Sequence, residues 1–243
     1  MKLAYKNKVF DYTITATSEQ PNQPVENLQD TRLSRKWQSV TSGTNYLTLS
    51  DSFDADCVIV KDHNIALTDT VTLEGSTVSD FASIAVSESV TIIAGGFAKF
   101  FTSADYYWRL KIVSANTVYI GGLYIGESED LPAYDLTSVT KYATMDNDSI
   151  SLSGQLYGDK NYNYRSASFV FPWVVRGVDD VMLIDLWGTH TILKPFYIVQ
   201  FPDAISNYPV WYCKIDQDGI EFPDAPDNIK IYTNVGLKIR EVF

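Results

Sequence analysis

Cysteine and histidine are nearly absent from this chain of 243 residues, which carries two of each. With only His63 and His190, a hydrolase triad or an all-histidine metal site is hard to assemble. Cys57 and Cys213 lie far apart in apolar, strand-like contexts, and the expectation is two buried free thiols rather than a bridge, as suits a chain made in a reducing cytoplasm. Basic clusters are missing as well: the formal net charge is −11, and nothing larger than Arg35-Lys36 interrupts it. Nucleic-acid surfaces neutralise phosphates with clustered Lys and Arg, so that class of partner is excluded. No run of about 18 apolar residues provides a membrane span. The opening Met1-Lys2-Leu3-Ala4-Tyr5-Lys6 lacks the apolar core of a signal peptide, so the expectation is export by a route such as host lysis.

Catalytic signatures are absent too. There is no nucleophile elbow, dinucleotide or phosphate loop, His-Glu-x-x-His or Cys-x-x-Cys, and no pair of carboxylates is singled out for glycoside cleavage. Asp-rich pieces at Asp51–Asp56, Asp146-Asn147-Asp148, Asp179-Asp180 and Asp216-Gln217-Asp218-Gly219 raise the question of Ca²⁺, but none completes a loop with a Glu at position twelve. They read as solvated turns. The expectation is a non-enzyme with no metal and no cofactor.

What is present is β-forming: 16 Tyr and 12 Phe, with Val, Ile and Thr throughout. Residues 9–16 alternate as a first strand with Phe10, Tyr12 and Ile14 on one face. Strands follow at Tyr46–Leu49, Asp56–Lys61, Thr70–Gly75, Ser83–Val86, Val90–Ile93, Ala98–Phe101, Tyr106–Val113 and Val118–Gly126, with turn residues between them, an antiparallel all-β rhythm. Trp108, Leu110 and Ile112 point inward, with Val58 and Val60 beside them in the core, and a bulge is expected at Gly121-Gly122. His63 reads as a turn-stabilising residue. The acidic Glu127–Pro132 segment marks a boundary, so the chain divides into a sandwich over 1–128 and a second β-rich, barrel-like domain over 129–243. In the second, strands are expected at Ile150–Tyr157, Ser166–Phe171, Phe196–Gln200, Val210–Ile215, Ile229–Tyr232 and Val235–Val242. Its one helix spans Val178–Trp187, begun by Asp179 and Asp180 and stopped by Gly188.

One stretch organises the first half: Pro24-Val-Glu-Asn-Leu-Gln-Asp-Thr-Arg-Leu-Ser-Arg-Lys-Trp37-Gln-Ser39. Leu28 and Leu33 can be buried, Asp30 and Ser34 can accept backbone N–H groups, and Trp37 can cap a core while its N–H finds a carbonyl. The alternative for Trp37 is a sugar-stacking platform. This stretch, with Tyr107-Trp108-Arg109-Leu110 and the closing Ile120-Gly-Gly-Leu-Tyr-Ile-Gly126, resembles discoidin-like, galactose-binding-type β-sandwiches over residues 9–127, in the version found in bacteriophage minor tail proteins. The order of elements in the second half is similar to their C-terminal modules.

The resemblance implies a jelly-roll sandwich followed by a tail-assembly module. It also implies a structural virion subunit, assembled in the host cytoplasm with other phage tail proteins as a ring or in multiple copies. The alternative is a carbohydrate-binding module for a host surface glycan. The candidate ligand-binding residues are Asp30, Arg32, Arg35 and Trp37 at one end of the sandwich. The candidate interface anchors are Tyr162, Tyr164, Tyr208 and Trp211, in stretches where exposed Tyr and Trp would meet a partner.

Overall fold

The computed structural model describes residues 1–133, 139–150, 156–190, 194–199, 210–217, 220–222 and 231–242, with backbone alone at 103, 139–150 and 156–164. In chain order the strands are β1 (Lys2–Asn7), β2 (Ile14–Ala16), β3 (Trp37–Gln38), β4 (Gly43–His63), β5 (Thr70–Ser76), β6 (Ile84–Val90), β7 (Gly96–Ser114) and β8 (Tyr119–Asp130). They continue as β9 (Val139–Ile150), β10 (Leu156–Phe171) and β11 (Val174–Val175), then helix α1 (Asp179–His190). The last are β12 (Phe196–Val199), β13 (Val210–Ile215), β14 (Ile231–Tyr232) and β15 (Val235–Glu241). The chain divides into two compact units: Met1–Asp130 with Phe196–Tyr212, and Leu131–Pro195 with Cys213–Val242.

The first unit is an antiparallel β-sandwich folded around two long strands. β4 and β7 pair along their whole length, with register shifts between Thr48 and Ser52 and between Ala55 and Cys57. These shifts bend the pair, so its two ends serve two sheets. On one side of the bend the order is β6-β5-β7-β4-β2; on the other, β7-β4-β8, with β8 then bordered by β3 and β1, and β12 beside β1. One apolar cluster fills the space between the sheets: Leu47, Val71, Leu73, Leu110 and Ile112 from the first meet Val58, Val60, Phe97, Ile120 and Ile125 from the second. Trp108 is completely buried there, and its indole Nε1 donates to the Phe53 carbonyl at 3.0 Å. Both thiols are free and buried, and burial pushes that of Cys57 up from its ordinary pKa.

Several local expectations are corrected. The first strand is Lys2–Asn7, and of the strand expected over 9–16 only Ile14–Ala16 forms, as β2: the buried Asn7 accepts from Val9 N at 3.2 Å, donates to Leu123 O at 2.8 Å, and so turns the chain into a 3₁₀ helix over Lys8–Phe10, leaving Phe10 exposed. Tyr46–Leu49 and Asp56–Lys61 are ends of one strand, because the polar Ser50-Asp51-Ser52 sits at the bend and not in a turn. Ala98–Phe101 and Tyr106–Val113 are joined likewise, and β6 replaces two expected strands with one. Gly121 and Gly122 form no bulge, since the β4–β8 register runs through them unshifted. Asp146-Asn147-Asp148 lies within β9 and not in a turn, and the strand expected over Ile150–Tyr157 is the end of β9 and the start of β10.

In the second unit β9 and β10 form a long hairpin with a register shift at Lys160/Tyr162; β15 pairs with β10, and Cys213–Ile215 with β15. Arg165 and Glu241 form a mostly buried ion pair across β10 and β15. β11 and β14 make a separate two-stranded ribbon. α1 begins as expected: Asp180 accepts from Gly177 N at 2.6 Å and Asp179 from Val175 N at 2.8 Å. It runs past Gly188 to His190, because Leu183, Leu186 and His190 form one buried stripe that carries the helix beyond its glycine.

Candidate functional site

The loop Asp30–Lys36 is a short, pinned bridge laid across the start of β8. Its floor is glycine. A Cβ on Gly121 would sit 2.5 Å from the Leu33 carbonyl oxygen, and one on Gly122 2.8 Å from Leu33 Cδ2 and 2.6 Å from the Tyr197 hydroxyl. The pair is there for close approach, which is why two glycines interrupt an otherwise aliphatic strand. Leu33 is buried in the contact. Further bonds fix the bridge: Tyr212 OH donates to Thr31 O at 2.7 Å, Asn27 Nδ2 to Lys36 O at 2.9 Å, and Arg35 N to Arg32 O at 3.0 Å.

On this rigid base sit the charges. Asp30 Oδ1 accepts from Arg32 N and Arg32 Nε, both at 2.9 Å, while Oδ2 lies 2.6 Å from Arg32 Nη2 and 3.5 Å from Arg35 Nε. The hydrogen-bonded Arg32 guanidinium holds the Asp30 carboxyl down to about 2, so it is ionised throughout the physiological range. Asp30 is 21% exposed, whereas Arg32 and Arg35 are 60% and 55% exposed. Next along, Lys36 Nζ reaches Asp62 Oδ2 at 2.9 Å and lies 4.1 Å above the Tyr119 ring. Asp62 holds a left-handed backbone, φ +51°, near the end of β4, just before His63.

His63 is occupied with structure. Its Nδ1 accepts from Ile65 N at 3.1 Å, Nε2 lies 3.0 Å from the Ile93 carbonyl, and the ring meets Phe97 edge-on. Burial lowers its pKa. A neutral ring with the proton on Nε2 satisfies both bonds.

Trp37 is corrected as a ligand residue. Its ring is fully buried and its Nε1 donates to Ser18 O at 3.2 Å, so it plugs the sandwich and offers no face to a sugar. The aromatic beside the loop is Tyr119, a residue the sequence reading did not single out. Its signal was available, since Val118 and Ile120 point inward and alternation turns Tyr119 outward. Trp211 is likewise corrected as an exposed anchor: it is 4% exposed on a strand buried on both faces, and Tyr212 is buried with it. Tyr208 lies outside the described residues, and so do the side chains of Tyr162 and Tyr164, whose backbone is on β10. Among the described residues no group of three or more His, Cys, Asp or Glu could hold a metal ion.

A second cationic cluster occupies the outer face of β4, β7 and β5. The Arg109 guanidinium is sandwiched between the rings of Tyr46 at 4.4 Å and Phe81 at 4.3 Å, and Nη2 meets Glu74 Oε2 at 2.6 Å. Lys111 lies 3.4 Å from Glu74 Oε1. Phe81 reaches its place with φ +55°, uncommon for a bulky residue.

No family model and no curated protein matches the chain. Solved structures with a similar fold include the lectin domain of lectinolysin complexed with Lewis b antigen, at 8% identity and TM-score 0.44, covering 52% of this chain and 99% of that one. A fucose-binding module of Streptococcus pneumoniae aligns at 8% identity and TM-score 0.43, covering 49% and 94%. The family 32 carbohydrate-binding module of Clostridium perfringens NanJ, in complex with galactose, aligns at 13% and 0.40, covering 53% and 100%. These are likenesses of fold.

Proposed function

We propose that the chain is a non-catalytic glycan-binding protein that engages a saccharide with the loop Asp30–Lys36. The observation that carries this reading is the convergence of an ionised acceptor, Asp30, with two exposed planar donors, Arg32 and Arg35, on a loop held by glycine contacts and buried anchors. Sugar hydroxyls both donate and accept, and adjacent carboxylate and guanidinium groups serve the two roles at once. The loop is organised before ligand arrives, which lowers the ordering cost of binding. Of the modules of like fold, one is a fucose-binding module and two are in complex with Lewis b antigen and with galactose. A glycan array probed with the full chain tests the reading: at least one glycan is retained, and retention falls in Arg32→Gln and Arg35→Gln. An array with no retained member overturns it.

A second reading, a structural subunit of a phage tail assembled in the host cytoplasm, draws support from one feature of the second unit. Val178, Val181 and Ile184 of α1, or just before it, are exposed on the side opposite its buried stripe, and Trp173 and Val175 are exposed nearby in sequence. A helix apolar on both sides is a feature of assemblies. Mass spectrometry of purified virions tests it, since the chain would appear there as a particle protein in defined copy number.

A further inference from the structure

The donor and charge balance of the loop points to the kind of sugar. Among the described residues Arg32 and Arg35 share the one carboxylate of Asp30, and Lys36 is matched by Asp62, so three cations face two anions and one positive charge is left over. Asp30 carries a single charge and cannot neutralise both guanidinium groups. Oδ1 already takes two N–H groups from Arg32, and Oδ2 takes Arg32 Nη2 at 2.6 Å with Arg35 Nε only at 3.5 Å. Among the described residues Arg35 Nη1 and Nη2 meet no acceptor. This excess stands in a chain of net charge −11, in which Arg35-Lys36 belongs to the largest basic cluster.

A solvated pair of surface cations needs no scaffold. Here the backbone that bears the guanidinium groups is fixed at Thr31, Leu33 and Lys36 by a tyrosine hydroxyl, a buried contact over two glycines and an asparagine amide. That fixes two like charges side by side, an arrangement relieved by one further anion. The geometry points to a sugar carboxylate: we propose that the glycan bound at this loop is acidic, carrying a uronic or sialic acid whose carboxylate pairs with Arg35 and the free edge of Arg32, while neighbouring hydroxyls bond to Asp30. A planar carboxylate matches the guanidinium fork in two parallel bonds. Lys36, held over Tyr119, lies at the rim where it adds attraction without fixing orientation.

The inference rests on the glycan-binding reading, and the experiment separates the two. The full chain is titrated with a trigalacturonate and with the matched neutral galactose trisaccharide at low and high salt, with free sulfate as a third arm, beside an array of paired neutral and acid-terminated glycans. The expected result is that acidic members bind about tenfold or more tightly than their neutral partners. The preference shrinks as salt rises. Arg35→Gln removes it while the melting temperature stays unchanged, and Arg35→Lys restores part of the attraction but not the full discrimination. Neutral members that bind as well as acidic ones overturn the acidic preference and leave a glycan-binding site. Sulfate binding at the loop with no retention of any sugar overturns both, and so does an empty array.

Discussion

Arg109 and Arg35 belong to the same sandwich and each faces a carboxylate, yet their surroundings give them opposite work. Arg109 is 20% exposed, pressed between two rings, and its Glu74 partner is 9% exposed. A carboxylate that deep is costly unless paired, so the pair's first duty is to itself and to the sheet that carries it. Arg35 shares a carboxylate already bonded to Arg32, is more than half exposed, and contributes little to the fold. Identical residue types thus become a clamp in one place and a free donor in the other, and the difference is burial and donor count, not composition.

The comparison can be attacked from its foundation upward. Replacing Trp108 with Ala removes the indole that both sheets share and its bond to Phe53 O. A loss of about 3–5 kcal/mol is expected in denaturant unfolding, and all loop binding falls only in proportion to the unfolded fraction. Arg109→Met strands Glu74 with Lys111 alone and should cost about 2–3 kcal/mol, while the double variant Arg109→Met with Glu74→Gln recovers much of it. Glycan affinity at the loop should be unchanged in both. Gly121→Ala drives a methyl against the Leu33 carbonyl; the expected cost is about 1–3 kcal/mol, together with a loss of binding larger than the unfolded fraction explains, because the bridge itself is displaced.

A smaller effect is read from pH. Burial lowers the His63 pKa in the fold, so the unfolded chain takes up its proton first as pH falls. Stability is therefore full above about 6.5, the ordinary imidazole value, and declines below it until the folded ring also protonates and gives up the Ile65 N–H bond. His63→Gln should flatten that slope in melts taken from pH 7 to 5. Asp30 behaves differently: with its folded value about 2, the contribution of its ion pair is present above the ordinary carboxylate range and lost only as pH falls toward 2, so loop charge is constant across the His63 window. Smallest of all is Arg35→Gln, which should change unfolding free energy by less than about 0.5 kcal/mol.

How much of this was legible in the sequence depends on the kind of signal. Period-two alternation placed Trp108, Leu110 and Ile112 in the core, and the continuous apolar run at Cys57–Val60 read as a buried strand, because burial on both faces leaves no polar gaps. The bend in β4 and β7 was read as two turns. Polar residues at a bulge look like polar residues in a loop, and only pairing tells them apart. Gly121-Gly122 signalled an irregularity correctly but not its nature, since a glycine for close approach and a glycine for a bulge share one letter. At the site, Asp30, Arg32 and Arg35 were visible as a local cluster. That Trp37 caps the core with its N–H on a carbonyl was legible too; that Tyr119 comes alongside the loop from a strand more than 80 positions later was not, because the partner is remote in sequence.

The central claim is that the exposed guanidinium pair on Asp30 binds a glycan. It is tested most directly by titrating the best-retained array glycan into the native chain, Arg35→Gln and Arg109→Met, each scaled to its folded fraction. The account predicts native affinity in Arg109→Met and a loss of about tenfold or more in Arg35→Gln. Equal affinity in all three would contradict it, and loss in Arg109→Met alone would contradict it and move the site to the outer face of β4, β7 and β5.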